Sequence, residues 1–293
     1  MQPPARPKVI CRTIEDDHIQ AVIACLQRGF PQRPRRYWEE ALVRIARRPA
    51  IDDHPRYGYV LVAEGHVVGV QLQFFSRRAT SNRGAVRCNL SSWCVDKEYR
   101  AYSLVLHMNA IKDPDVTYLN ISPAAHIRKM IEALGFQPFT RGQTVVAPIL
   151  SRRRRDVRVV AFAADRPEAA LLSASERQIL ADHAAWGCRA LLCVENGLAY
   201  PFVFQPKVIV RNLIPCPHLI YCRDMSEFVR FANAIGRYLL FRSGPLCVVD
   251  AMGPAPGLVG RFFLGRGGPK YFKGAAAPGL GDLAYTELVF LGP

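Results

Sequence analysis

The strongest constraint on the fold of this chain is an internal repeat with a nearly constant offset. Three pairs of short segments correspond: Glu64-Gly65 with Glu195-Asn196-Gly197, Trp93-Cys94 with Tyr221-Cys222, and Leu119-Asn120 with Val249-Asp250. The separations are about 128 to 132 residues each time, and unrelated domains would not keep three landmarks in step. The repeat predicts duplication of one supersecondary plan, with chance agreement of two α/β patterns as the alternative.

The first half alternates between helical and strand-like periodicity. Its predicted elements, in order, are helices near 14–29 and 36–48, a hairpin over 57–78 that turns at Glu64-Gly65, a strand over 86–96, a helix over 103–111, a strand over 116–121 and a helix from Ser122 to Gly135. We expect Leu104, Val105, Met108 and Ile111 to form the apolar side of the 103–111 helix.

The second half repeats this order. It predicts a strand over 158–164, a helix over 175–186, a hairpin over 189–205, a strand over 217–222, a helix over 226–239 and a strand over 245–251. The fold class is therefore α/β (α+β), with two domains that each have a mixed central sheet flanked by helices. We predict a first domain over 1–150, a basic linker over 151–155 and a second, divergent domain over 156–293; 293 residues suit two domains.

The formal net charge of +15 is shared by both halves. Residues 1–150 carry 21 Lys and Arg against 13 Asp and Glu, and residues 151–293 carry 18 against 11. A positive field attracts nucleic acid, anionic lipid and coenzyme phosphates without choosing among them. Because no nucleic-acid motif accompanies the charge, nucleic acid is an unlikely partner. The arginines of 152–155 fit a solvated linker.

The sequence shows neither a membrane span nor a signal peptide. No stretch approaches the roughly 20 apolar residues that a span needs, and the first residues lack an apolar run. We therefore expect a cytoplasmic protein without a membrane partner. Its nine cysteines are odd in number and several lie in apolar runs, so they are interpreted as buried thiols, with no metal site. The oligomeric state is not predicted.

Two segments of the first half resemble the GNAT superfamily of N-acyltransferases: VDKEYRAYSLVL at 95–106 and LNISPAAHIRKMIEALGF at 119–136. In that family the first segment binds the pyrophosphate of coenzyme A at a helix start, where backbone N–H groups and the helix dipole stabilise phosphate. The resemblance implies acetyl-CoA or another acyl-CoA as co-substrate. The coenzyme-binding residues that it implies are Val95, Arg100, Ala101, Tyr102, Ser103, Leu104 and Asn120.

The same segment departs from the family at its glycines. Arg100 fits the leading basic position, but Ser103 and Val105 stand where the family has glycine, and Ala101 replaces another common glycine. Side chains there obstruct close approach of a phosphate to the backbone. Either acyl-CoA binding is retained, or this turn only packs an inactive copy of the fold.

The catalytic residues are less clearly implied. A tyrosine that often protonates the leaving thiolate in this superfamily would fall at Ile131, which has no proton to give. Candidates for the general base are Asp96, His107 and His126, with packing or surface roles as the alternative for the histidines. Cys94 is interpreted as structural, because no base pattern accompanies it.

The resemblance implies transfer of an acetyl or other acyl group to an amine on a small molecule or peptide. The alternative is a catalytically inactive ligand-binding or scaffold protein that kept the fold, since a fold does not by itself imply an activity.

Overall fold

The computed structural model describes residues 8–77, 85–209 and 214–291. The chain forms two compact units. The first unit comprises 1–120, 273–275 and 285–292, and the second comprises 121–272, 276–284 and 293. The division of the sequence into 1–150, 151–155 and 156–293 stays a prediction, and it differs from these units in how it assigns the residues after 120.

Four helices begin within one residue of the predicted positions. The helices predicted at 14–29 and 122–135 begin five and six residues later, each after a 3-10 turn, and the helix at 287–290 was not predicted. The helices are α1 Ile19–Gly29, α2 Arg35–Ala46, α3 Ser103–Ala110, α4 Arg128–Ala133, α5 Ala174–Ala185, α6 Met225–Ser243 and α7 Glu287–Phe290. Short 3-10 turns cover Asp16–His18, Lys97–Tyr102, Ala125–Ile127, Pro148–Leu150 and Pro167–Leu171. Within the described part of the chain, none of these helices is both long enough and apolar enough to cross a membrane.

The strands belong to two mixed seven-stranded sheets and one short ribbon. They are β1 Val9–Thr13, β2 Gly58–Ala63, β3 His66–Arg77, β4 Val86–Val95, β5 Thr117–Asn120, β6 Gln137–Thr140, β7 Gly142–Val146, β8 Arg158–Ala161, β9 Arg189–Glu195, β10 Leu198–Gln205, β11 Val208–Ile209, β12 Ile214–Pro215, β13 His218–Cys222, β14 Cys247–Ala251, β15 Gly260–Leu264 and β16 Lys270–Lys273.

In the first unit, strands β1 to β5 lie side by side in chain order. The first four pair antiparallel, and β4 pairs with β5 in parallel. Glu64 and Gly65 join β2 to β3 with positive φ values of 50° and 81°, as the predicted tight hairpin requires. Helix α1 buries Val22, Ile23 and Leu26, whose spacing gives a single apolar side.

In the second unit, the sheet order is β15-β7-β14-β13-β10-β9-β8, with β13 and β14 parallel. The order predicted over residues 190–250 is confirmed: a hairpin (β9 and β10), a strand (β13), a helix (α6) and a strand (β14), with the small β11–β12 pair inserted. Strand β7, which the predicted domain division assigns to the first domain, pairs with β14 and β15 here.

The start of the predicted linker is held against α6 by hydrogen bonds. The Nδ2 atom of Asn233 in α6 donates hydrogen bonds to the carbonyls of Ile149 and Ser151, at 2.5 and 3.1 Å. Gly236 allows this approach, because a Cβ there would lie 2.2 Å from the Ile149 nitrogen. Arg154 then pairs at 2.8 Å with the buried carboxylate of Glu195. Arg154 is therefore an anchor although its side chain is 46% exposed, and Arg152, Arg153 and Arg155 are exposed as well.

A buried charged network joins four strands of the second unit. The Asp250 carboxylate lies 2.9 Å from Nε2 of His218 and 3.0 Å from Nζ of Lys270, and Gln143 donates to it at 3.0 Å. Each of these four side chains is nearly inaccessible to water. Burial tends to raise the pKa of Asp250, but His218 and Lys270 outweigh it, so that the pKa lies well below its usual range.

We expect Lys270→Met to lower the free energy of unfolding by about 3 kcal/mol at pH 7, because it leaves the buried Asp250 charge poorly compensated. The double variant Lys270→Met/Asp250→Asn should be less destabilised than Lys270→Met alone. Since the folded pKa of Asp250 is depressed, its contribution is present above about pH 4 and is lost as the pH falls below it. Urea unfolding of both variants at pH 7 and pH 3.5 measures this, and equal losses in the two would contradict it.

Candidate active site

The sheet of the first unit opens beside β4. The parallel ladder between β4 and β5 runs only from Arg87–Thr117 to Asn89–Leu119. Strand β4 continues for six more residues to Val95, whereas β5 ends at Asn120. Asn89 lies where the strands part, and its Nδ2 donates at 3.2 Å to the Leu119 carbonyl. Past this point the β5-facing edge of β4 forms no ladder with β5.

A β-bulge lies in this open part of β4. Val70 of β3 pairs with Cys94 and Leu72 pairs with Ser91, so that Gln71 alone faces the two residues Ser92 and Trp93. Ser92 has φ 48°, in the left-handed region that non-glycine residues rarely adopt. Bulges redirect backbone groups and side chains and are common beside active sites.

The bulge is supported by contacts with side chains of α3 and β3. The Trp93 ring stacks on His107 of α3 with ring centroids 4.5 Å apart, and Nδ1 of His107 lies 3.1 Å from the Gln71 amide nitrogen. Burial, with a smaller contribution from Lys273, lowers the pKa of His107 to about 4. The imidazole is therefore neutral at pH 7 and completely buried. We interpret His107 as a support for the bulge, because its ring stacks on Trp93 and its Nδ1 contacts Gln71.

The burial of His107 also corrects the predicted orientation of α3. This helix buries Leu106, His107 and Ala110. Leu104, Val105 and Met108 are 45 to 47% exposed, although the sequence predicted them on the buried side. The stack on Trp93 and the contact with Gln71 offset the cost of burying the polar His107. A search for apolar periodicity does not reveal such contacts. Only Ile111 of the predicted apolar side is buried.

The segment after Val95 is helical without a break. The 3-10 turn Lys97–Tyr102 leads directly into α3, and the Ser103 N–H donates to the Arg100 carbonyl. The cap position of α3 is Tyr102, which makes no side-chain cap hydrogen bond, and Ser103 is the first residue of the helix. Arg100 and Ala101 are exposed, and Tyr102 and Ser103 are half-buried. Asn120 is buried at the end of β5.

Asp96 fixes this segment to α1. Its carboxylate receives two hydrogen bonds from Arg28, from Nε at 3.0 Å and from Nη2 at 2.6 Å. Arg28 also donates to the Val67 carbonyl at 3.0 Å. Because this bidentate ion pair occupies both carboxylate oxygens, we interpret Asp96 as a positioning residue. His126, the remaining predicted base, is exposed in a 3-10 turn of the second unit.

Sequence reasoning missed a carboxylate beside the bulge. Glu287, the first residue of α7, is buried and accepts a hydrogen bond from the Ser91 hydroxyl. Its backbone N–H donates to Oδ1 of Asn89 at 2.6 Å. Thus Glu287 contacts both the residue where β4 leaves β5 and the residue that precedes the bulge. The chain separation of almost 200 residues gave the sequence no signal for this contact.

The residues around Glu287 are held firmly. Phe290 of α7 lies 5.0 Å from the Phe74 ring, and Arg44 of α2 donates to the Phe290 carbonyl at 3.2 Å. Burial raises the pKa of the Tyr37 phenol, and the negative charge of Glu287 adds to this while Arg33 and Arg44 oppose it. The Tyr37 phenol of α2 is therefore close enough to Glu287 for the carboxylate charge to act on it.

The equivalent opening in the second unit is filled by the chain itself. The β13–β14 ladder contains the single pair His218–Val248. Beyond it, β13 bonds to the segment 281–283: the Cys222 N–H donates to the Gly281 carbonyl at 3.0 Å, and the Leu283 N–H donates to the Ile220 carbonyl at 2.8 Å. The first unit therefore offers the better site for a ligand that pairs with a strand edge.

The cysteines near the site are not activated. The Cys94 thiol has its pKa raised by its interaction with Cys25 and by burial, which keeps it protonated. A Cβ on Gly29 of α1 would lie 2.5 Å from the Cys94 Cβ, so the helix and strand pack closely there. These contacts support the structural interpretation of Cys94.

Comparisons with solved structures identify the fold. No protein-family model and no curated protein matches the sequence. A GCN5-related N-acetyltransferase from Anabaena variabilis is 10% identical, with a TM-score of 0.59 over 91% of this chain and 72% of that chain. A second from Kribbella flavida is 12% identical, with a TM-score of 0.56 over 91% and 71%. The glucosamine N-acetyltransferase region of a fungal multidomain β-N-acetylglucosaminidase is 10% identical, with a TM-score of 0.54 over 92% and 38%. The predicted fold class is confirmed.

The bulge geometry predicts opposite effects of two changes at Ser92. Ser92→Gly should leave the free energy of unfolding unchanged or raise it by up to about 1 kcal/mol, because glycine adopts positive φ readily. Ser92→Val should lower it by about 1 to 3 kcal/mol, because a β-branched residue is strained there. Val95→Gly, at a β4 position without positive φ, is the control and should be destabilising. Urea unfolding that ranks Ser92→Gly with Val95→Gly would show that the bulge is not formed.

Proposed function

Because the chain has the GNAT fold, as tandem GNAT-like domains in which the coenzyme motif of the first is degenerate, we propose that it is an acyl-CoA-dependent N-acyltransferase. The reaction takes place in the first unit, and the acceptor is an amine on a small molecule or peptide. The observation that carries this proposal is the open, bulged edge of β4 with the Glu287 carboxylate beside it.

The open edge of β4 suits the pantetheine arm of coenzyme A. That arm contains two amides, which are able to pair with exposed backbone groups as an added strand does. Arg100 is exposed on the helical segment that follows β4, where its guanidinium is able to bind phosphate. Val95, Ala101, Tyr102, Ser103, Leu104 and Asn120 complete the coenzyme-binding residues of the proposal.

We propose Glu287 as the general base in place of Asp96, His107 and His126. In the proposed reaction its carboxylate takes a proton from the acceptor ammonium, and the free amine attacks the thioester carbonyl. Backbone N–H groups at the bulge stabilise the resulting oxyanion. The attacking nitrogen of the tetrahedral intermediate releases its second proton to water, and the intermediate expels the coenzyme A thiolate. The thiolate then takes up a proton from solvent. The products are an amide and free coenzyme A.

The scaffold alternative has its own supporting observation. The helical structure runs unbroken from Lys97 to Ala110, so fewer backbone N–H groups point outward than at a glycine-rich turn. In that case the first unit binds no acyl-CoA, and Glu287 only anchors α7. Coenzyme binding therefore separates the two functions.

The first test is thermal unfolding with acetyl-CoA and longer acyl-CoAs. Ligand at about 100 times its dissociation constant adds roughly 2.7 kcal/mol of stability, which raises the unfolding temperature measurably. Arg100→Ala should weaken binding by about 1.5 kcal/mol, the lower end for a hydrogen bond to a charged group, because Arg100 is exposed.

The matched control is the triple variant Arg152→Ala/Arg153→Ala/Arg155→Ala, which spares the Glu195 anchor Arg154. These exposed arginines contribute only screened attraction, so binding at about 0.15 M salt should be unchanged. No shift with any acyl-CoA at millimolar concentration would favour the scaffold function. Equal affinity of the wild type and Arg100→Ala by isothermal titration would remove Arg100 from the site.

The second test concerns Glu287. Glu287→Gln keeps a hydrogen-bond acceptor for Ser91 but removes the base, so kcat should fall by about 10²-fold or more while acyl-CoA affinity is unchanged. The assay follows release of the coenzyme A thiol with alkylamines, amino sugars and lysyl peptides as acceptors. Glu64→Gln, in the exposed β2–β3 turn, is the control.

A rate loss caused by a missing base has a characteristic pH dependence. The loss in Glu287→Gln should shrink as the pH rises toward the pKa of the acceptor ammonium, because more acceptor is then already deprotonated. A loss that is the same at every pH, or that accompanies lower unfolding stability, would indicate that Glu287 acts only by anchoring α7.

A further inference from the structure

A cavity of about 480 Å³ lies in the second unit. It is bounded by the start of β9, the end of β10 and the segments that end α5 and α6. Its walls are largely apolar and include Phe162, Phe204, Pro206 and Pro215. This volume lies within the range of about 300 to 1,000 Å³ typical of small-molecule sites.

The charged side chains that line this cavity are all cations: Arg189, Lys207 and Arg242. None of them pairs with a carboxylate in the described part of the chain. Arg189 donates at 3.4 Å to the Arg242 carbonyl, and Arg242 donates at 3.1 Å to the Tyr238 carbonyl, so both partly serve the end of α6. Elsewhere in this unit buried acids pair with arginines, as Glu176 does with Arg223.

Of the three cations, Lys207 has the positive charge that is least compensated by neighbouring groups. Its side chain is partly buried, and no hydrogen bond or ion pair of its ammonium is found among the described residues. Burial lowers the pKa of Lys207, Lys270 and Arg266 lower it further, and Asp250 opposes them. Asp250 is itself bound to Lys270 and His218. An anion in the cavity would offset this positive potential directly.

We propose that this cavity binds a small organic anion with an apolar body. Its carboxylate or sulfonate pairs with Lys207 and the Arg242 guanidinium, and its body packs against Phe162, Phe204 and the prolines. A purely apolar ligand would leave the cations uncompensated, and a small inorganic anion would leave most of the apolar wall unfilled. The proposal is independent of acyl transfer, because it uses no residue of the first unit.

The probe is 8-anilinonaphthalene-1-sulfonate, whose fluorescence rises in apolar sites, compared with the uncharged N-phenyl-1-naphthylamine. We expect the sulfonate to bind the wild type at least about tenfold more tightly than the amine. Lys207→Met removes the charge but keeps the apolar stem, and it should weaken sulfonate binding about tenfold while leaving amine binding unchanged. Arg237→Met, at an exposed position of α6 outside the cavity, is the matched control.

A second variant tests the location. Ala161→Phe adds a ring to the cavity wall and should abolish binding of both probes, while thermal unfolding followed by circular dichroism shows that the variant is folded. The proposal is overturned if the uncharged probe binds as tightly as the sulfonate. It is also overturned if Lys207→Met and Arg237→Met have the same effect, or if folded Ala161→Phe binds the sulfonate like the wild type.

Discussion

The separation of two parallel strands at Asn89 is the constraint on which the first unit depends. An Asn amide holds β4 to β5 at the last paired residues and at the same time accepts the N–H of Glu287. One side chain therefore sets where the sheet opens and where the C-terminal helix begins. The bulge at Ser92 follows within three residues, supported by the Trp93–His107 stack. Buried polar groups must find partners, so these contacts fix the geometry more narrowly than apolar packing alone.

The second unit has the same arrangement of parallel strands, but its opening is filled. Its strands β13 and β14 also begin in parallel and then part, but residues 281–283 pair with the free edge of β13. Its interior carries the Asp250, His218 and Lys270 network, which ties β13, β14 and β16 together. One unit therefore has an open strand edge, and the other has an opening filled by its own chain. This difference favours chemistry in the first copy, although both retain the fold.

The sequence predicted what depends on local periodicity. The two hairpins and four of the helix starts followed from patterns within short windows, and the structure shows them. Prediction from the sequence failed where a contact between distant residues determines which side chains are buried. The buried side of α3 was reversed because His107 is stabilised by Gln71 and Trp93, and Glu287 was missed because its partners lie almost 200 residues earlier. Arg154 is exposed, as a solvated linker requires, but its pairing with the distant Glu195 carboxylate could not be predicted from local sequence.

The degenerate motif does not close the route by which a phosphate would approach. The side chains that replace glycine at 101 and 105 belong to an outer surface: Ala101 is exposed and Val105 is 47% exposed. They limit how closely a phosphate contacts the backbone, but they stay exposed in the part of the chain that the structure describes. A copy that had lost its ligand entirely would be under no constraint to leave three apolar side chains, Leu104, Val105 and Met108, on the surface beside an exposed arginine. Exposed apolar surface of this kind carries a solubility cost that a bound ligand relieves, and this supports retention of the site with weaker backbone contacts to phosphate.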